Sequence, residues 1–272
     1  MIAFGISFIE FVLATFIPIY LGMGFMIFLR QRAKIGIEYL SAFALGILFW
    51  FFFDTVNDAI QLGVNEGYAF SFHHAALLLL FILGFLFLAL LTGLGISGTE
   101  RTTKDSSPYS LLLPLLVGLG MGFHGIAEGL AFGGLSSGTQ ALNVLDAIGG
   151  YGGGLSYAMH KFLEATIVTV VLLSTTTGRA STLRLQDTLM VGVAFGGPSA
   201  IGEVVGYVVP VDASYFFALG GGAALLVALF VVRPLFSDGG MRELSQSVWL
   251  RTTFALMLGF LCIYAAALFH ST

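Results

Sequence analysis

Two short segments carry the same chemistry-bearing pattern. His124-Gly125-Ile126-Ala127-Glu128 and His160-Lys161-Phe162-Leu163-Glu164 each place a carboxylate four residues after an imidazole. On an α-helix that spacing puts both groups on one face, about one turn apart. Consecutive, antiparallel helices could aim these faces at one point. Two imidazoles and two carboxylates suit a borderline-soft divalent ion such as Zn²⁺, with Fe²⁺, Mn²⁺, Co²⁺ or Cd²⁺ as other candidates. One such pair could simply be a hydrogen-bonded contact that packs helices. Two copies in neighbouring apolar stretches, with the carboxylate of Glu203 in a third, favour metal or proton chemistry.

The elements that must position these groups are membrane spans. Hydrophobic residues make up 57% of the 272-residue chain and charged residues only 10%; the mean hydropathy is +0.97. Soluble domains carry about a quarter charged residues, so lipid is the natural solvent for this chain. Thirty-six glycines point the same way, since glycine is commoner in membrane helices. A net charge of −4 leaves no basic patch for nucleic acid, and the single cysteine, Cys262, excludes a disulfide framework or a Cys-rich metal site. No cleavable signal is evident, because the first apolar run reads as the first span.

A span needs about 20 apolar residues. That criterion predicts an all-α integral membrane protein with eight transmembrane helices, at 6–29, 38–62, 75–97, 109–133, 153–175, 186–209, 214–236 and 248–269. Residues 1–272 form a single transmembrane domain. The basic residues test the count independently. Arg30, Arg32, Lys34, Arg101, Lys104, Arg179, Arg184, Arg233, Arg242 and Arg251 all fall in or beside odd-numbered loops. Under the positive-inside rule both termini face outside, extracellular or periplasmic for a cell membrane. The eleventh basic residue, Lys161, sits inside the fifth span.

Ionisable groups in hydrocarbon cost roughly 3 kcal/mol each on insertion scales, so they usually face a protein interior or a cavity. Asp54 and Asp58 lie four apart in the second span, along a candidate ion pathway; Asp54 reads equally as an entry or exit ligand or as part of a buried pair with Asn57 or a basic neighbour. Glu10 is interfacial, and His73 and His74 read first as ordinary interfacial residues, second as ion-capturing groups. Gly118, Gly122, Gly125 and Gly129 form a stripe on the fourth span, and Gly202 and Gly206 flank Glu203. Simple close packing is the favoured reading for these glycines.

The segment His124-Gly-Ile-Ala-Glu128-Gly-Leu-Ala-Phe-Gly resembles the fourth-helix signature of ZIP (Zrt/Irt-like) divalent metal transporters. His160-Lys161-Phe-Leu-Glu164 is similar to the His-Lys variant of the fifth-helix signature, and Gly202-Glu203-Val-Val-Gly206 to the sixth-helix one. The resemblance implies a ZIP-like bundle and a transport site at His124, Glu128, His160 and Glu164. In many relatives a second metal site uses the residue after each histidine plus the sixth-helix carboxylate. Here those positions hold Gly125, Lys161 and Glu203, which does not supply a second set of ligands. The ammonium of Lys161 is therefore expected to take the second ion's space and pair with Glu203 or Asp54. Where the family has prolines in these helices the chain has Ala127 and Leu163, so kinks are expected from Pro114, Pro198 or Gly125.

These readings lead to a carrier, not an enzyme, that moves a divalent cation toward the cytoplasm. The ion is its substrate, and no prosthetic group is expected. Lipid is the expected partner, and a homodimer is allowed. An intramembrane zinc-dependent hydrolase is the alternative, and a metal sensor ranks lower for want of an output domain.

Overall fold

A computed structural model describes residues 2–60, 72–102, 111–137, 150–175, 184–236 and 246–268, with side chains described at 5, 7–53, 72–94, 111–137, 153–175, 184–235 and 248–268. Eight α-helices account for nearly all of the described residues: α1 Ile2–Gln31, α2 Ile37–Ile60, α3 Phe72–Thr102, α4 Leu112–Ser136, α5 Gly150–Thr175, α6 Leu185–Val208, α7 Ser214–Phe236 and α8 Gln246–Leu268. Each coincides with one expected span, with ends shifted by a few residues. Among the described residues seven helices are long and apolar enough to cross a membrane, and α2 is apolar over Ile37–Phe53, the part whose side chains are described. Helices α1 and α3, at 30 and 31 residues, would reach about 45 Å at 1.5 Å per residue. That exceeds the roughly 30 Å hydrocarbon core, so they tilt or protrude.

Burial sorts the helices into inner and outer ones. Helices α4 and α5 bury 61% and 67% of their apolar windows, against 22% and 17% for α3 and α8. In α5 every residue from Ala165 to Leu173 is buried. A helix enclosed on all sides sits at the centre of a bundle. The outer faces of α1, α3 and α8 present Ile9, Leu13, Leu79, Leu90, Phe254 and Leu261 to the surroundings, as lipid-facing surfaces do.

The tightest seam joins α4 to α6. A Cβ placed at Gly118, Gly129 or Gly133 would meet the carbonyls of Val191, Ser199 and Glu203 respectively, and one at Gly122 would meet Phe195 and Pro198. Partners rise in step along both helices, so α4 and α6 run parallel. From the other side, Gly202 faces the Ile126 carbonyl and Gly206 the Leu130 carbonyl. The stripe read from sequence is thus one half of a reciprocal contact in which backbones touch, as small-residue packing allows. Similar reciprocal pairs lock α2 to α8 (Gly46 with Leu256, Gly259 with Phe43) and α3 to α7 (Gly84 with Leu219, Gly222 with Phe81).

Two expectations about helix bending change. Pro114 is the third residue of α4; a first-turn N–H has no intrahelical acceptor, so proline there breaks nothing. Pro198 does lie inside α6, and α1 carries an interior Pro18. Gly125 does not loosen α4 but makes room for the Ser199 hydroxyl.

Candidate metal centre

The two His-x-x-x-Glu turns meet in the middle of the bundle. Helices α4 and α5 are antiparallel here: His124 faces Glu164, while Glu128 faces Lys161. His124 Nε2 lies 3.4 Å from Glu128 Oε1 and 3.8 Å from Glu164 Oε1, and His160 Nε2 lies 3.2 Å from Glu164 Oε1. The imidazole rings lie nearly parallel, with centroids 6.2 Å apart. One ligand atom from each of the four residues falls within 4.8 Å of all the others.

The donor set fits a metal ion. Tetrahedral Zn²⁺ with bonds of about 2.1 Å needs ligand atoms about 3.4 Å apart, so rotamer adjustments on the order of 1 Å would close the cluster. The buried donors lie against one another, His160 Nε2 on Glu164 Oε1 and the Lys161 ammonium on Glu128 Oε2, so the charged groups a dication would need are already gathered in one place.

The surrounding helices hold these groups in place. Phe51 of α2 sets its ring edge-on to His124 at 4.5 Å, and Phe217 of α7 approaches the same imidazole at 5.0 Å. Gly220 of α7 lies against the His124 backbone, where a Cβ would come within 2.6 Å of its nitrogen. His124, Glu164 and Lys161 are buried, while the side chains of Glu128 and His160 keep 15% and 14% exposure. Exposure at the cluster is thus confined largely to those two side chains.

Lys161 is where the structure departs from expectation. Its Nζ is 2.5 Å from Glu128 Oε2 and donates to Glu164 Oε2 at 2.7 Å. It pairs with the carboxylates of the cluster itself, not with Glu203. The cause is helical geometry: Glu164 lies three residues on, over the same face, and the antiparallel crossing brings Glu128 opposite. The Tyr157 and Phe195 rings flank the ammonium at 5.8 and 5.5 Å from their centroids, which suits a cation in a dry site. Glu203 stands apart from the cluster, fully buried, with neither carboxylate oxygen hydrogen-bonded. Asp54 and Asp58 are on α2, but their side chains lie outside the described residues.

Tyr157 was legible in principle, since it precedes Lys161 by four residues on α5. Its hydroxyl bonds Thr15 of α1 at 2.9 Å, and its ring packs against Phe11, itself stacked on Phe132. At the end of the bundle where α3 and α7 begin, His73 Nδ1 lies 3.2 Å from the Tyr215 hydroxyl. Nearby Asp212 accepts from the Ser214 N–H at 2.9 Å. Hydrogen bonding from Ser214 holds the Asp212 carboxyl below its ordinary value. His73 and His74 do not join a group of metal-ligand spacing among the described residues.

Fold and site together define a class: a helical protein of integral-membrane character whose interior holds a His/Glu cluster able to bind a metal ion. No protein-family model matches the chain, and no curated protein matches it.

Proposed function

We propose that the chain is a divalent-metal carrier of ZIP type, with zinc as the leading cargo. It binds one ion between α4 and α5 and passes it toward the cytoplasm. The observation that carries the reading is the convergence of His124, Glu128, His160 and Glu164 within 4.8 Å in the bundle interior. Neutral imidazoles and ionised carboxylates replace the ion's hydration shell, and two carboxylates offset a dication in a low dielectric. Loading requires deprotonated donors, so protons compete with the metal and binding weakens in acid.

Support for the ZIP-like assignment is the order and spacing of the three motifs along the helices, together with the antiparallel α4–α5 crossing. A topology with both termini outside rests on the basic loops, and the inward direction of transport rests on the resemblance to ZIP carriers. Carriage is favoured over hydrolysis because four protein donors and an adjacent ammonium leave no coordination position for an activated water, whereas catalytic zinc keeps three ligands and an open one. Lysine as a single-site device also fits one ion per chain.

The test is zinc uptake into liposomes containing the purified protein, set against the Glu128→Ala, Glu164→Ala double variant. Loss of the charge-matched ligands should lower flux by at least about tenfold. Equal flux from the two proteins would end this assignment.

A further inference from the structure

The charge carried by the cluster changes when Lys161 is counted as part of it. Glu128 and Glu164 contribute two negative charges, and the ammonium, at 2.5 and 2.7 Å from them, contributes one positive. With neutral imidazoles the ion-free centre therefore carries −1, and the centre holding a dication carries +1. Remove the lysine and the same two states carry −2 and 0. The cost of holding net charge in a low-dielectric interior grows as the square of that charge. The lysine thus makes the empty and loaded centres comparable, where its absence would leave the loaded centre cheap and the empty one about four times as costly as it is with lysine.

Geometry supports this role over that of a passive structural ion pair. Lys161 is 1% exposed and sits on the cluster's own helix. Its ammonium contacts both carboxylates at once, at the oxygens turned away from the imidazoles: Oε2 of each, while Oε1 of each faces histidine. The lysine therefore neutralises the ligands without covering the oxygens nearest the imidazoles. Tyr157 and Phe195 give the ammonium apolar, cation-tolerant walls from which to recede when an ion arrives.

We propose that Lys161 is a tethered counter-cation that lets the ion-free carrier return across the membrane. It holds the carboxylates between loading events, lowers affinity enough for release, and removes the need for a separate cation on the return step. This rests on the carrier reading above. In that scheme net uptake requires the empty centre to recross, whereas exchange of zinc for zinc requires only the loaded centre to do so.

The experiment compares full-length wild type, Lys161→Met and Lys161→Arg in zinc-loaded and zinc-free liposomes, with zinc binding to each purified protein measured by calorimetry. Lys161→Met should bind zinc at least about tenfold more tightly, keep zinc–zinc exchange within about threefold of wild type, and lose about tenfold or more in net uptake. Lys161→Arg should retain net uptake, because the charge remains. Unchanged or weaker zinc binding by Lys161→Met, or a fall in exchange equal to the fall in net uptake, would overturn the proposal. Should Lys161→Met not reconstitute, Lys161→Gln carries the same comparison. Failure of the carrier reading is separately visible: wild type would then show neither uptake nor exchange, whereas failure of the lysine proposal alone leaves wild-type transport intact with an unchanged ratio of net flux to exchange in the variant.

Discussion

A single methyl group at Gly129 tests whether the α4–α6 seam positions the centre. Gly129 follows Glu128, and a Cβ there would overlap the Ser199 carbonyl oxygen and stand 2.7 Å from the Glu203 nitrogen and 3.0 Å from the Gly202 carbonyl carbon. All three are backbone atoms, so no side-chain rotation relieves the contact. The helices must separate by roughly 1 Å before ordinary contact distances return, and overpacking of this kind costs about 1–3 kcal/mol. Gly134, five residues further along the same helix, has nothing within 4 Å of the place a methyl group would take, and alanine there gains helix propensity worth up to about 1 kcal/mol. Gly129→Ala should therefore unfold several degrees below wild type in detergent, and Gly134→Ala at or above it, at one fixed scan rate because such unfolding is often irreversible. Zinc binding measured in parallel should weaken in Gly129→Ala alone, since separating α4 from α6 moves Glu128. A Gly129→Ala protein as stable as Gly134→Ala would refute the backbone-contact account of the seam.

Other substitutions probe the buried polar groups. Glu203→Gln should match or exceed wild-type thermal stability, because a charged carboxylate there has no hydrogen-bonding partner to offset its lost hydration; a loss above about 1 kcal/mol would mean that the carboxylate is in fact held. Thr15→Val should cost about 1–3 kcal/mol in a thermal-unfolding assay by stranding the Tyr157 hydroxyl, whereas Thr15→Val combined with Tyr157→Phe should recover most of that loss. A double variant no better than the sum of its parts would show that the 2.9 Å contact is not the source of the effect.

Helix number and limits were legible because two independent signals agreed: apolar length, and the confinement of ten basic residues to alternate loops. The clustering of His124, Glu128, His160 and Glu164 was legible from a spacing that helix geometry converts directly into a shared face. Partner choice across helices was not. Lys161 was expected to reach Glu203 or Asp54, since sequence shows which ions lie inside spans but not which helix crosses which at what height. Only the antiparallel crossing, with His124 opposite Glu164, fixes Glu128 opposite Lys161. Glycines gave the same mixed result. Those of α4 formed a visible stripe, but Gly46 and Gly259 stand alone in their own helices and Gly84 and Gly222 carry no spacing that marks them, so these four acquire meaning only as reciprocal contacts.

The arrangement of helices bears on how such a centre could move. His124 and Glu128 belong to a helix joined backbone-to-backbone with α6, while His160, Lys161 and Glu164 belong to α5, which packs on α1 where Gly22 lies against the Phe162 carbonyl. The ligands are therefore shared between two closely packed pairs, α4–α6 and α1–α5. Their joint contact combines the His/Glu/Lys cluster at the α4–α5 crossing with apolar packing, Phe11 on Phe132 and Gly196 against Phe16 and Ile19, whereas each pair is held by backbone contact within itself. A sliding step at the α4–α5 crossing would pull Glu128 away from Lys161 and His124 away from Glu164, dismantling the cluster. Motion of all four helices together keeps every ligand distance and must instead be taken up where these helices meet α2 and α7, at Phe51 and Phe217 against His124. Aromatic contacts of that kind can slip without stranding a polar group, but Gly220 of α7 lies against the His124 backbone and Ser156 of α5 donates to the Ala266 carbonyl of α8 at 2.8 Å, so such a step must also part a backbone contact and a buried hydrogen bond. In the proposed carrier, movement of α1, α4, α5 and α6 as one block, as the resemblance to ZIP carriers implies, would keep the cluster intact and place the moving boundary at Phe51 and Phe217.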